Sequence, residues 1–140
     1  MERLIAQQKN SAKMLKSLHE MIAGYNRMKQ DDSVNDLVLE ALQDSVIKRF
    51  EISFDLLWKY LKEFLFVHHG VDVASPKKVF REAMIQQLLT KSELEVFLGM
   101  CDDRNLTAHT YDFDHAQEVA ESILKYYFII KPALFRILEQ

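Results

Sequence analysis

Between Val34 and His69 the chain contains neither glycine nor proline, and its apolar residues fall on two helical stripes rather than one. One stripe is Leu39, Leu42, Val46, Phe50, Leu57, Leu61 and Phe64; the other is Ile47, Phe54, Trp58 and Leu65. A helix that is apolar on two faces has to bury both. One face can pack on the helix before it. The other needs further helices or a second copy of the chain. This excludes an isolated hairpin and predicts a helical bundle, with burial of the Phe54–Trp58 side giving a reason to expect a homodimer. Gly70 suits the left-handed position after the last turn. His68 and His69 point about 100° apart on a helix, so they make a poor metal pair.

The remaining sequence supplies the other helices. Met14, Leu18, Met21, Tyr25 and Met28 recur at helical spacing and mark a seam on a first helix over 2–29. Residues 30–33 read as a turn, with Asp32 or Ser33 capping the long helix. Ser75-Pro76 has the cap-then-proline order that opens a third helix, with Val79, Phe80, Ala83, Met84, Leu88 and Leu89 as its buried side. Ser92-Glu93-Leu94-Glu95 matches a capping box for a fourth, which buries Leu94, Phe97, Leu98 and Cys101. Asp114 through Gln117 matches another for a fifth, which carries Val119, Ala120, Ile123, Leu124, Tyr127 and Ile130 and is expected to kink or restart at Pro132. With three Gly and two Pro in 140 residues there is little punctuation for anything but long helices. No period-two alternation supports a strand. The expected architecture is one all-α domain over 1–140, an up-and-down bundle of about five helices.

Charge and cysteine content narrow the function. A net charge of −3 and a pI near 5.9 argue against a protein that coats nucleic acid, though not against one local basic cleft. Lys77, Lys78 and Arg81 give the third helix a basic start, either a solvated face or a binding patch. A single Cys101 excludes an intramolecular disulfide and offers no zinc motif. Neither a secretory leader nor a stretch of membrane-spanning length is legible, so a cytoplasmic protein without membrane association is expected.

The chemistry-bearing residues concentrate in Arg104-Asn105-Leu106-Thr107-Ala108-His109-Thr110-Tyr111. Arg is permanently charged and holds phosphate bidentately. His is the side chain suited to proton transfer near neutral pH. Asp102, Asn105 and His109, at i, i+3 and i+7, share one helix face. Arg104 lies about 140° from His109 on an ideal helix. The two converge on one phosphate only if the helix frays near Ala108, if the Arg side chain bends round, or if two copies face each other across a dimer axis. In such a cleft His109 would exchange a proton with a ribose hydroxyl or leaving oxygen, Arg104 would hold the phosphate, and Asn105 would orient His109 or bind a phosphate oxygen. The same residues also fit a solvated helix end with His109 as a dipole complement. Asp112, Asp114, His115 and Cys101 have no standard metal spacing, so no metal or cofactor is expected. Cys101 and His109 stand about 12 Å apart along a helix, too far for a nucleophilic pair. Gly-rich phosphate loops and G-x-S-x-G are absent from the sequence.

The Arg-Asn-x-x-x-His-x-Tyr pattern, together with Arg49-Phe50-Glu51-Ile52-Ser53-Phe54-Asp55-Leu56-Leu57-Trp58-Lys59, resembles the HEPN superfamily, and within it the nucleotidyltransferase substrate-binding proteins. The resemblance covers the whole chain. It implies a homodimeric bundle and a partner, a minimal nucleotidyltransferase, usually encoded alongside. In toxin–antitoxin members it implies a metal-independent ribonuclease whose Arg and His correspond to Arg104 and His109. The motif tyrosine, Tyr111, is then the position that the partner can adenylylate. For the substrate-binding branch it implies instead a nucleotide- or substrate-binding subunit; from the shared helix face, Asn105 and Asp102 are the candidate substrate contacts. A free ribonuclease acting on RNA and an inert helical adaptor remain the alternatives.

Overall fold

The computed structural model describes the backbone of residues 1–109 and 113–138, and the side chains of these except residues 108, 109 and 113–116. The described residues form α1 (Glu2–Lys29), α2 (Asp36–His69), α3 (Pro76–Ile85), α4 (Lys91–His109) and α5 (Phe113–Leu138), with no strand among them. The all-helical, five-helix expectation holds.

α2 is the central element and touches each of the other four helices. That position answers the two-stripe pattern. Val46, Phe50, Leu57, Leu61 and Phe64 of the first stripe are buried, as are Ile47, Phe54 and Leu65 of the second, while Trp58 is partly covered. Phe54 packs between Phe50, at 6.1 Å, and Phe80 of α3, at 5.9 Å between ring centroids. Phe80 in turn stacks on Phe97 of α4 at 4.7 Å. The second face of α2 is therefore buried within one chain, and Phe54 supplies no reason for a dimer. The large apolar side chains left exposed include Phe128 and Ile129 of α5 and Leu37 and Val38 of α2.

Several local expectations shift by a residue or two. The seam of α1 is Leu4, Ser11, Leu15, Leu18, Ile22 and Tyr25. Leu18 and Tyr25 belong to it as expected, but Met14 and Met21 only flank it and Met28 is exposed. The cap of α2 is Asn35, whose side chain accepts from the Leu37 N–H at 2.8 Å; Asp31 instead closes a turn onto Ser33. Gly70 does take the left-handed conformation, with φ 66°, and Ser75-Pro76 opens α3. α3 stops at Ile85, so Leu88 and Leu89 are buried from the connection that follows rather than from the helix. α5 begins at Phe113, one residue before the expected Asp114 cap, and it continues through Pro132 without restarting.

The capping box of α4 is Thr90 with Glu93, not Ser92 with Glu95. The Thr90 N–H donates to Glu93 Oε1 at 2.8 Å, and the Glu93 N–H donates to Thr90 Oγ1 at 3.2 Å. Glu93 is nearly fully buried because Arg136 at the end of α5 pairs with it. Replacing Thr90 by Ala is expected to lower stability by about 1 kcal/mol, while Ser92→Ala should change it by less than about 0.5 kcal/mol. Urea denaturation of both variants checks this. A larger loss at Ser92 would return the cap to the position first expected.

The last turn of α5 is fastened by other helices. Tyr60 Oη of α2 donates to the Ile137 carbonyl at 3.2 Å, and Gln8 Nε2 of α1 donates to the Leu138 carbonyl. These bonds satisfy acceptors that a helix C-terminus otherwise leaves open. At the opposite end Lys29 of α1 pairs with Glu121 of α5 at 3.1 Å. α1 and α5 thus run antiparallel in a defined register.

Candidate functional site

Four consecutive residues of α4 fan out to four different surroundings, as a helical rotation of about 100° per residue requires. Cys101 is buried in the core, and burial pushes its thiol up to about 11, so it is no nucleophile at neutral pH. Asp102 is exposed and pairs with Lys77 of α3 at 2.7 Å. Asp103 turns to α5, where its carboxylate accepts a hydrogen bond from Tyr126; burial and that carboxylate's charge both push the Tyr126 phenol above its ordinary range. Arg104 turns to α2.

There Arg104 meets two carboxylates. Its Nη1 lies 3.0 Å from Glu51 Oε2, and its Nη2 lies 3.2 Å from Asp55 Oδ2. Glu51 and Asp55 stand at i and i+4, so one face of α2 presents both. The Arg104 side chain is 22% exposed and that of Glu51 19%. Arg49, two residues before Glu51, points the other way and donates to Ser17 of α1 at 3.0 Å and to Ser45. Phe50 and Phe54 enter the core between them. The α2 block thus divides by helical phase into an α1 contact, a core stripe and an acidic receptor for Arg104.

This arrangement corrects the picture of a solvated helix end: Arg104 and Asp103 are partly buried and partnered, while Asn105 and Asp102 are exposed. The backbone of α4 is helical through His109, so the fraying route that would bring Arg104 and His109 together is not taken. Asn105 remains on the outward face, where it can meet a ligand or partner. The side chain of His109, and the whole of Tyr111, lie outside the described residues. No group of three His, Cys, Asp or Glu side chains is placed to hold a metal ion among the described residues.

The pairing of Arg104 was not read from the sequence, although Glu51 and Asp55 both stand in the quoted α2 block. Two acids one turn apart are a weak signal on this helix, since Glu40 and Asp44 have the same spacing and are exposed; it is the partly buried Arg104 that singles out Glu51 and Asp55. Arg104→Ala leaves both carboxylates close together without a counter-charge. It is expected to cost about 1–3 kcal/mol, discounted from the cost of breaking a fully buried pair because Asp55 is part-exposed. Part of the loss should return when Glu51→Gln and Asp55→Asn are added. A denaturation midpoint unchanged by Arg104→Ala would show that the cluster contributes nothing.

The fold and site define a single helical bundle whose motif arginine is locked to the central helix. Residues 6–139 match the family model described as nucleotidyltransferase substrate binding protein like, and the chain belongs to that family. It is also similar to a protein from Thermus thermophilus of known crystal structure, with 31% identity and a TM-score of 0.66 over 86% of this chain and 98% of that one. Among curated proteins none matches.

Proposed function

We propose that this chain is the HEPN-type component of a two-component minimal nucleotidyltransferase system, acting as its substrate- or nucleotide-binding subunit. The observation that carries this reading is the family match over residues 6–139. The locked guanidinium adds to it. A phosphate reaching Arg104 has to displace two carboxylates, which suits a regulated binding surface better than a free-standing nuclease. The exposed Asn105 and Asp102 are the described part of the surface offered to the partner. The toxin half of a toxin–antitoxin pair is the same assembly with an RNA-cleaving output. The homodimer belongs to this proposal too, now on the exposed Phe128 and Ile129 of α5 rather than on the Phe54 side.

The neighbouring open reading frames and the purified proteins test this together. A small nucleotidyltransferase encoded alongside, co-eluting with the chain in size exclusion with light scattering, is the expected result. A chain that runs as a monomer of 16.5 kDa and ignores such a partner would overturn the assembly.

A further inference from the structure

A groove of about 300 Å³ runs between α1 and α5, away from the Arg104 cluster. This is near the lower end for small-molecule sites, which span roughly 300–1,000 Å³. The register set by Gln8 against Leu138 and Lys29 against Glu121 places Lys16 level with Lys131, and His19 level with Tyr127. The second pairing is seen directly, with ring centroids 5.2 Å apart. Leu15 and Leu134 line the groove beneath the two lysines, and Phe135, 54% exposed, stands at its edge.

The charge pattern is one-sided. None of the lining residues is acidic. Lys16 and Lys131 are exposed and, like most lysines of the chain, have no carboxylate partner among the described residues. Lys16 and Lys131 line the same groove from opposite helices, so an anion lying over its apolar floor would be attracted by both. His19 Nδ1 is buried without a hydrogen-bond partner, a gap that calls for an explanation. A second groove of similar size, near the start of α1, includes Tyr60, Phe64 and His68 in its lining but no lysine or arginine. The α1–α5 groove thus combines an aromatic wall with paired cations.

We propose that the α1–α5 groove binds a mononucleotide, with its base against Tyr127, His19 and Phe135 and its phosphate between Lys16 and Lys131. The choice of a nucleotide, among aromatic anions, rests on the proposed role beside a nucleotidyltransferase. The site is separate from Arg104, so a nucleotide can be held without breaking the Arg104 ion pairs.

Calorimetric titration of the full chain with AMP, adenosine and inorganic phosphate tests the proposal. AMP should bind, and adenosine and phosphate should each bind at least about tenfold more weakly, since each keeps half of the recognition. Lys16→Glu and Lys131→Glu should each weaken AMP binding by about tenfold or more. Both side chains are on the surface, and circular dichroism verifies that the variants fold. Lys78→Glu on α3, an equal change in net charge at a remote exposed site, should stay within about twofold.

Absence of AMP binding overturns the proposal. So does AMP binding that survives both groove substitutions but is lost in Arg104→Gln, which would place the phosphate at the other cluster. A titration with dodecanoate in place of AMP closes the list. Binding of dodecanoate that AMP does not compete with, lost in the groove variants, would assign the groove to an acyl chain and overturn the proposal as well. Failure here is distinguishable from failure of the proposed assembly. AMP binding without any nucleotidyltransferase association removes the assembly and leaves the groove; association without AMP binding does the reverse.

Discussion

Substituting His109 by Ala is expected to lower any cleavage of RNA by this chain by about two to four powers of ten, the usual contribution of a positioned acid or base. The motive is the resemblance of the Arg104–His109 motif to metal-independent ribonucleases; with α4 helical through His109, the two residues would meet one phosphate across a dimer axis. His109 would move the proton while Arg104 offsets charge on the phosphate. The ion pairs with Glu51 and Asp55 sharpen the expectation for Arg104. Arg104→Ala removes a cation from the site and a strap from the fold, so its rate must be measured where the variant is still folded. His109→Ala leaves all three members of that cluster, Arg104, Glu51 and Asp55, in the chain. Single-turnover cleavage of a labelled RNA, with and without chelator, is the measurement. Full activity in His109→Ala, or loss of activity through the chelator alone, overturns the assignment. A wild type that leaves RNA intact places the chain on the binding-subunit side of the proposal.

The second large effect concerns Tyr111. With ATP and magnesium, the partner nucleotidyltransferase is expected to add one or more nucleotides to the wild type and none to Tyr111→Phe. Tyr111 lies two residues beyond His109 in the sequence, next to the end of α4. A nucleotide attached there would be tethered seven residues from Arg104 along the chain, and its phosphate would compete at raised effective concentration with Glu51 and Asp55. A free anion has no such advantage. The modified chain would carry new bulk and negative charge beside the motif, and an RNA phosphate would be kept out. Intact-mass analysis followed by peptide mapping reads the result. Addition at Tyr25, Tyr60, Tyr126 or Tyr127 would refute the site, and three of these are poor acceptors on structural grounds: Tyr25, Tyr60 and Tyr127 are buried. No modification by the genuine partner would leave substrate presentation as the better account.

Much of the bundle was legible because its signals are local. The bounds of α1, the left-handed Gly70 and the Ser75-Pro76 start of α3 each depend on residues within one turn. What was misjudged depends on distant partners. The segment Thr90-Lys91-Ser92-Glu93-Leu94-Glu95 contains two overlapping cap patterns, and Arg136, far along the chain, selects Glu93 over Glu95. In α1, adjacent stripes of Met and of Leu or Ile compete. The stiffer Leu15 and Ile22 take the core, and the flexible Met14 and Met21 fill its margin. The dimer argument from Phe54 failed for the same reason, since Phe80 of a later helix covers it. At the site, the motif residues were found from their chemistry, but the acids that hold Arg104 sit one helix pair away. No spacing rule within α4 points to them.

The Arg104 strap has a thermodynamic corollary. One guanidinium joins α2 to α4 and is also the cation that an anionic ligand would seek. Coupling between two such equilibria is reciprocal. An anion that captures Arg104 loosens the joint between the helices. By the same amount, a variant with a looser joint captures the anion more readily. Tight ligand binding at Arg104 and a rigid α2–α4 contact are competing uses of one side chain. Selection for either pulls against the other.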